Sequence, residues 1–221
     1  MSNERRKLPA GTDPLRYRLG QQTYRKAYGH ERDMSEALEF DYLSVEHVYG
    51  RIWSRTRGGI SLKDRSFMTV AINAALRRDH ELLIHLRAAK YQGLTGEEIL
   101  GIFLIVGELA GPQAFDHAMR VAKTLREPFP MRGLAARLTP AQDRLVRLVI
   151  LASVATEEDT ARNHELRKRE LRTSAARSAY FDQVVEAAIH LAHYAGWPAA
   201  HIGLRPARSI FRKEYMRALK G

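Results

Sequence analysis

The segment from Phe67 to Leu76 is apolar on nearly every side of a helix, and such a helix belongs in the middle of a bundle, not on a surface. That requirement constrains the fold more than any other feature of the chain. The composition agrees with it. Ala, Leu, Arg and Glu abound, only 15 glycines and 8 prolines interrupt 221 residues, and β-branched alternation is scarce, so the expected class is all-α. A hydrophobic content of 45% is enough to bury a sizeable core.

Residues 1–33 are polar and rich in Arg, Gly and Tyr, with Pro9, Gly11 and Pro14 as breakers, and read as a flexible N-terminal arm. From Met34 to Trp53, Leu38, Tyr42, Val45, Val48, Tyr49 and Ile52 recur at steps of three and four, which predicts an amphipathic helix. Ser61 can cap the next helix, and Thr95 with Glu98 forms a capping box. Further helices are expected at about 79–92, 95–109 and 112–126. The Pro-rich stretch 128–138 reads as a linker. Beyond it, helices are expected from Thr139 to Val154 and at about 157–172, 178–195 and 198–218.

The second half repeats features of the first. Asp64-Arg65 recurs as Asp143-Arg144, and His85 as His164 in the same register. Ala110-Gly111 recurs as Ala195-Gly196 in a second register. The expected architecture is therefore two tandem helical repeats, 34–127 and 139–218, packed as one pseudo-twofold unit.

The chain contains no cysteine, which removes disulfides, thiolate metal sites and thiol-based peroxidase chemistry. The start, MSNERRKLPAG, lacks the apolar core of a secretory signal, so a cytoplasmic location is expected. The most apolar run, Ile99 to Val106, is interrupted by Gly101 and falls far short of the roughly 18 residues of a membrane span, so no membrane association is expected. Net charge is +11, from 36 Lys+Arg against 25 Asp+Glu, which favours anionic partners. The basic residues are scattered and form no nucleic-acid-binding motif, so nucleic acid is not the expected partner.

Three groups of motifs carry a resemblance. Val48-Tyr-Gly-Arg-Ile-Trp-Ser-Arg55 and Arg65-Ser-Phe-Met-Thr are followed by His85-Leu-Arg-Ala-Ala and Gly93-Leu-Thr-Gly-Glu-Glu-Ile99. Together they resemble the carboxymuconolactone decarboxylase family over about residues 40–126. The stretch Val185 to Ala199, with Tyr194-Ala-Gly-Trp-Pro198, resembles the same alkylhydroperoxidase D-like superfamily. The resemblance implies an all-helical homo-oligomer, with a trimer favoured for a fused pair of copies. It also implies cofactor-free chemistry on a small acidic lactone or keto acid, with a histidine and a glutamate carrying protons. The Cys-x-x-Cys pair of the peroxidase relatives is absent.

The first copy departs from the family pattern: Gly101 stands where a glutamate is usual, with Ile105 and Leu109 farther on. The second copy keeps Glu186, His190 and Tyr194. At ~100° per residue, Glu186, His190 and His193 fall on one helical face, and a carboxylate beside an imidazole is an acid–base pair in which burial tunes each partner. The candidate catalytic residues are His85, Glu186, His190 and His164, the last in charged surroundings that read as a solvated face. Candidate substrate-binding residues are Trp53, Arg55, His193 and Tyr194, and Arg65 and Arg87 are further guanidiniums able to hold a carboxylate. Glu186, His190, His193 and His164 could converge on a metal, but no zinc motif is present and no metal is expected. The alternative reading is a catalytically silent member that binds a small anion or serves as an assembly scaffold.

Overall fold

The computed structural model describes residues 8–127, 129 and 138–220. It is helical, with no strand among the described residues. The chain forms two compact units, Met1–Arg55 and Thr56–Gly221. The stretch read as a linker, 128–138, lies outside the described residues except at 129 and 138.

In the first unit, the described part of the expected arm contains a helix, α1 (Pro14–Tyr28). Pro14 does not break structure here. It occupies the first helical turn, where the missing N–H costs nothing, and the Asp13 carboxylate accepts from the Leu15 and Arg16 N–H groups at 2.9 and 3.1 Å. Gly29, at φ 87°, closes the other end in the left-handed conformation. The helix expected from Met34 begins at α2 (Glu39–Ser44) and continues as a π-helical segment, Val45–Trp53. α1 packs closely on that segment through Gly20 and Gly50. A Cβ on either would stand 2.2–2.3 Å from a backbone carbonyl oxygen, that of Val45 or Arg16.

The second unit opens with a 3₁₀ turn at Arg57–Gly59 and then runs α3 (Leu62–Ala75), α4 (Asp79–Tyr91), α5 (Gly96–Ala110) and α6 (Pro112–Lys123). After the undescribed stretch come α7 (Pro140–Val154), α8 (Glu157–Glu170), α9 (Ser174–Tyr194), α10 (Trp197–Ile210) and α11 (Arg212–Ala218). Both expected caps form, since Ser61 pairs reciprocally with Asp64, and Thr95 with Glu98. The helix expected over 198–218 is broken at Phe211, whose ψ of 44° leaves the helical region.

α3 lies in the middle, as its all-sided apolarity requires: every residue from Arg65 to Ala75 is buried. It packs against α4, α5, α6, α7 and α9, and one core runs from Ile60 to Phe211 through both halves of this unit. Fully burying side chains such as Phe67, Met68 and Ile72 stabilises by ~1.5–3 kcal/mol each. Polar groups on so buried a helix need partners inside the protein, and α3 carries Arg65, Thr69 and Asn73 at intervals of four, on one face.

Candidate active site

That polar face of α3 meets α9. The Arg65 guanidinium lies 3.2 Å from the Glu186 carboxylate, with both side chains fully buried. One turn along, Thr69 Oγ1 donates to the Arg65 carbonyl at 2.8 Å and lies 2.8 Å from His190 Nε2. Asn73 Nδ2 in turn donates to the Thr69 carbonyl at 3.0 Å. A hydroxyl has one proton. With that proton given to the Arg65 carbonyl, Thr69 can only accept from the imidazole, so the hydrogen-bond network assigns the proton of neutral His190 to Nε2 and leaves Nδ1 as the basic nitrogen.

The backbone before α3 is shaped to admit Glu186. Gly58, at φ 69°, lies against α9, where a Cβ would stand 3.0 Å from the Asp182 carbonyl oxygen and 3.2 Å from Glu186 Cγ. Any side chain there would be strained in conformation and would crowd the glutamate stem.

His85 enters from α4, buried, its ring edge-on to Tyr194 at 5.4 Å between centroids. Tyr194 also lies 4.8 Å from the His190 ring and 4.9 Å from that of His193. The Arg78 guanidinium donates to the Tyr194 carbonyl and pins the end of α9 to the corner between α3 and α4. Five sequence-predicted site residues, His85, Glu186, His190, His193 and Tyr194, thus share one neighbourhood with Arg65, Thr69 and Asn73. His193 is exposed and borders the cluster.

Burial holds the His85 pKa down to about 3, with a smaller contribution from His193. His190 is pushed well below the ordinary imidazole value, first by burial and then by Arg65, His193 and His85. Both rings are neutral at pH 7.

His164 lies elsewhere, and it is fully buried, not on the solvated face that its charged neighbours indicate. Its two ring nitrogens engage the Tyr180 hydroxyl at 3.1 Å and the Gly203 carbonyl at 2.9 Å. Only Thr160 and His164 of α8 are buried, and their spacing of four places them on the one inward face of an otherwise charged helix. Satisfied at both nitrogens, His164 is a structural crosslink between α8, α9 and α10. Its pKa is lowered by burial, partly offset by the Gly203 bond.

Trp53 and Arg55 belong to the first unit, where Trp53 is buried with its ring 5.8 Å from that of Tyr49. Arg87 lines a shallow surface depression with Lys90 and Arg126. The departure at Gly101 has a physical cause: a Cβ there would stand 2.9 Å from Leu138 Cγ, so Leu138 takes the space that a longer side chain would need. Among the described residues, no three His, Asp or Glu side chains are grouped to hold a metal ion, and no helix is long and apolar enough to cross a membrane.

The three buried histidines make stability depend on pH. Each has a lower pKa folded than unfolded, so between about pH 6.5 and the folded value the unfolded chain binds more protons. The stability they confer is complete above about pH 6.5 and is lost as the pH falls, by ~1.4 kcal/mol per pH unit per histidine. For His85 this window extends down to about pH 3. Urea denaturation at pH 7, 6 and 5 should show the free energy of unfolding falling progressively more steeply, and His85→Gln should reduce the slope at pH 5. An unchanged slope in that variant would mean that His85 titrates normally in the fold.

The arrangement defines an all-helical protein with a buried imidazole–carboxylate cluster drawn from both halves of its larger unit. The family model for carboxymuconolactone decarboxylases matches residues 39–124. The 4-carboxymuconolactone decarboxylase of Acinetobacter baylyi is 31% identical over 131 residues, which cover 56% of this chain and 93% of that protein. The chain belongs to the carboxymuconolactone decarboxylase family.

Proposed function

We propose that this protein is a lyase that decarboxylates a small acidic lactone or keto acid, using His85 and His190 to move the proton and Glu186 and Arg65 to hold the frame. The observation that carries this reading is the convergence of His85, His190 and Tyr194 beside the buried Arg65–Glu186 pair.

In such a reaction the bond between carbon and the leaving carboxylate breaks. Its electron pair passes into the adjacent carbonyl to give an enolate, carbon dioxide departs, and a proton returns to carbon. Neutral His85 suits the first stage, because an N–H aimed at the developing enolate oxygen stabilises charge there. Entry of an anionic substrate favours the imidazolium form by direct attraction, which loads the proton needed for the second stage. Thr69 holds His190 with Nδ1 as the basic atom, so in this mechanism Nδ1 exchanges the proton. Arg65 already faces Glu186 at 3.2 Å, which fits it to orient the glutamate and not to clamp substrate. Carboxylate binding falls instead to groups at the border, His193 among them.

The test is release of carbon dioxide from 4-carboxymuconolactone, named for the relative, and from a panel of related lactone and β-keto acids in deuterium oxide. Deuterium should appear in the product at the enolate carbon that takes up the proton. Failure to turn over any of the panel, with the protein folded, would favour the scaffold reading, to which the Gly101–Leu138 packing lends support.

The assignment of Thr69 has its own check. In Thr69→Val the acceptor is gone, so ¹⁵N spectra of the His190 ring should lose the strong Nε2–H preference, while Thr69→Ser should retain it. Identical spectra for all three proteins would show that the hydroxyl does not set the tautomer.

The tandem-repeat reading belongs with this proposal. Gly111 and Gly196 share nearly the same backbone conformation, φ 93° ψ 157° and φ 89° ψ 161°, and each opens a helix with a proline in its first turn. A duplicated unit in which each copy kept part of the site accounts for both the shared turn and the divided motifs.

A further inference from the structure

Well away from the His85–His190 cluster, the last four helices enclose a concavity of about 840 Å³. Six of its lining residues are cationic: Lys168, Arg177, Arg212, Lys213, Arg217 and Lys220. Among the described lining residues one is acidic, Glu214. Several cations elsewhere on this unit are matched by acids. Arg147 holds Glu108 and Asp143, Arg167 holds Glu170, Lys63 holds Glu98, Lys90 holds Glu127 and Arg205 reaches Glu157. Among the described residues, none of the six comes within the 4.0 Å of a carboxylate that defines an ion pair.

Gathering six like charges around one acid in a single depression is unfavourable in the empty protein and raises a focused positive potential. Three of the side chains are nevertheless anchored in place. Lys168 Nζ donates to the Ile210 carbonyl at 2.6 Å, Arg177 Nε donates to the Leu171 carbonyl at 2.8 Å, and the Arg217 guanidinium donates to Ser178 Oγ. Each keeps further N–H groups beyond that bond.

We propose that this concavity binds a small organic polyanion of the phosphate-ester type carrying three or more negative charges. The number of cations exceeds what a monocarboxylate can neutralise, and arginine and lysine together suit phosphate oxygens, the first by paired N–H donation and the second as a point charge. The volume lies within the range of small-molecule sites, and Ile210 and Met216 give an apolar wall for the organic portion. A nucleic-acid backbone fits less well, because it needs cations strung along a track, whereas these six line a single concavity.

The full-length protein is titrated calorimetrically with sodium tripolyphosphate and with ATP at about 0.1 M salt. Saturable one-to-one binding with Kd below ~100 μM is expected, weakening at least tenfold in Arg212→Gln/Lys213→Gln. Both side chains are exposed, so the fold should be kept, which thermal melts would confirm. Arg126→Gln serves as a control in the second depression, of about 720 Å³, where Lys90 is already held by Glu127, and should leave binding unchanged. No saturable binding would overturn the proposal, as would equal losses in both variants. Tighter binding of a short DNA duplex than of ATP would overturn it in favour of a nucleic-acid surface. None of these outcomes depends on the His85–His190 cluster, so the decarboxylase reading stands or falls separately.

Discussion

Glu186→Leu is expected to destabilise the protein by ~3–5 kcal/mol, because it withdraws the carboxylate 3.2 Å from a guanidinium with no solvent access. Arg65→Met should cost a similar amount for the opposite reason, leaving a buried carboxylate without that cation. The two losses should not add. In Arg65→Met/Glu186→Leu neither charge remains, the desolvation cost of both disappears, and much of the stability should return. Urea denaturation of the two single variants and the double variant at pH 7 gives the coupling directly. Additive losses would show that the pair is not an interacting unit, and that Glu186 is held chiefly by its packing against Gly58.

The comparison also separates two roles of the pair. A double variant that regains stability but loses the ordered His190 tautomer would mark Arg65 and Glu186 as parts of a site frame more than of the core. Arg65 supplies the carbonyl that takes up the Thr69 proton, yet that carbonyl survives any side-chain substitution. The tautomer should therefore follow Thr69 and the backbone of α3, and depend on the charges only through the position of the helix.

The helices were legible wherever a local chemical signal marks a terminus. Ser61 with Asp64 and Thr95 with Glu98 form reciprocal caps, and the apolar run after Ser61 is the central helix. Pro14 misled because one residue type both breaks a helix interior and starts a helix, and only the Asp13 cap tells the two apart. The π-helical segment was not legible at all, since its apolar residues recur at the same local steps as those of an α-helix. In the candidate site, the residues that family motifs single out are His85, Glu186, His190 and Tyr194. Thr69 and Asn73 were missed, although Arg65, Thr69 and Asn73 are spaced by four on an otherwise apolar helix, a polar stripe that has to be satisfied inside the protein. His164 was misplaced because the net charge of its segment hid a one-sided burial pattern only two residues wide.

The largest effect on function is expected from the histidines of the cluster. His190→Ala and His85→Ala should each lower turnover of the true substrate by roughly 10²–10⁴, the scale for losing a general acid or base. The combined variant should lose little more than the worse single one if both rings serve one proton transfer. The geometry favours that outcome, since Tyr194 lies against both rings, His193 lowers the pKa of both, and His85 lowers that of His190. His164→Gln, which changes a ring satisfied by Tyr180 and Gly203, should reduce stability and leave turnover per folded molecule within about twofold of the parent, as befits a group outside the proposed site. The pH dependence supplies the mechanistic reading. A mechanism that loads its proton when an anionic substrate enters requires an ionisation in the complex, seen in kcat, at higher pH than the free-enzyme ionisation seen in kcat/KM. Identical profiles for the two parameters would mean that substrate does not raise the histidine pKa, and that the proton returned to carbon comes from another donor, with Tyr194 the nearest candidate.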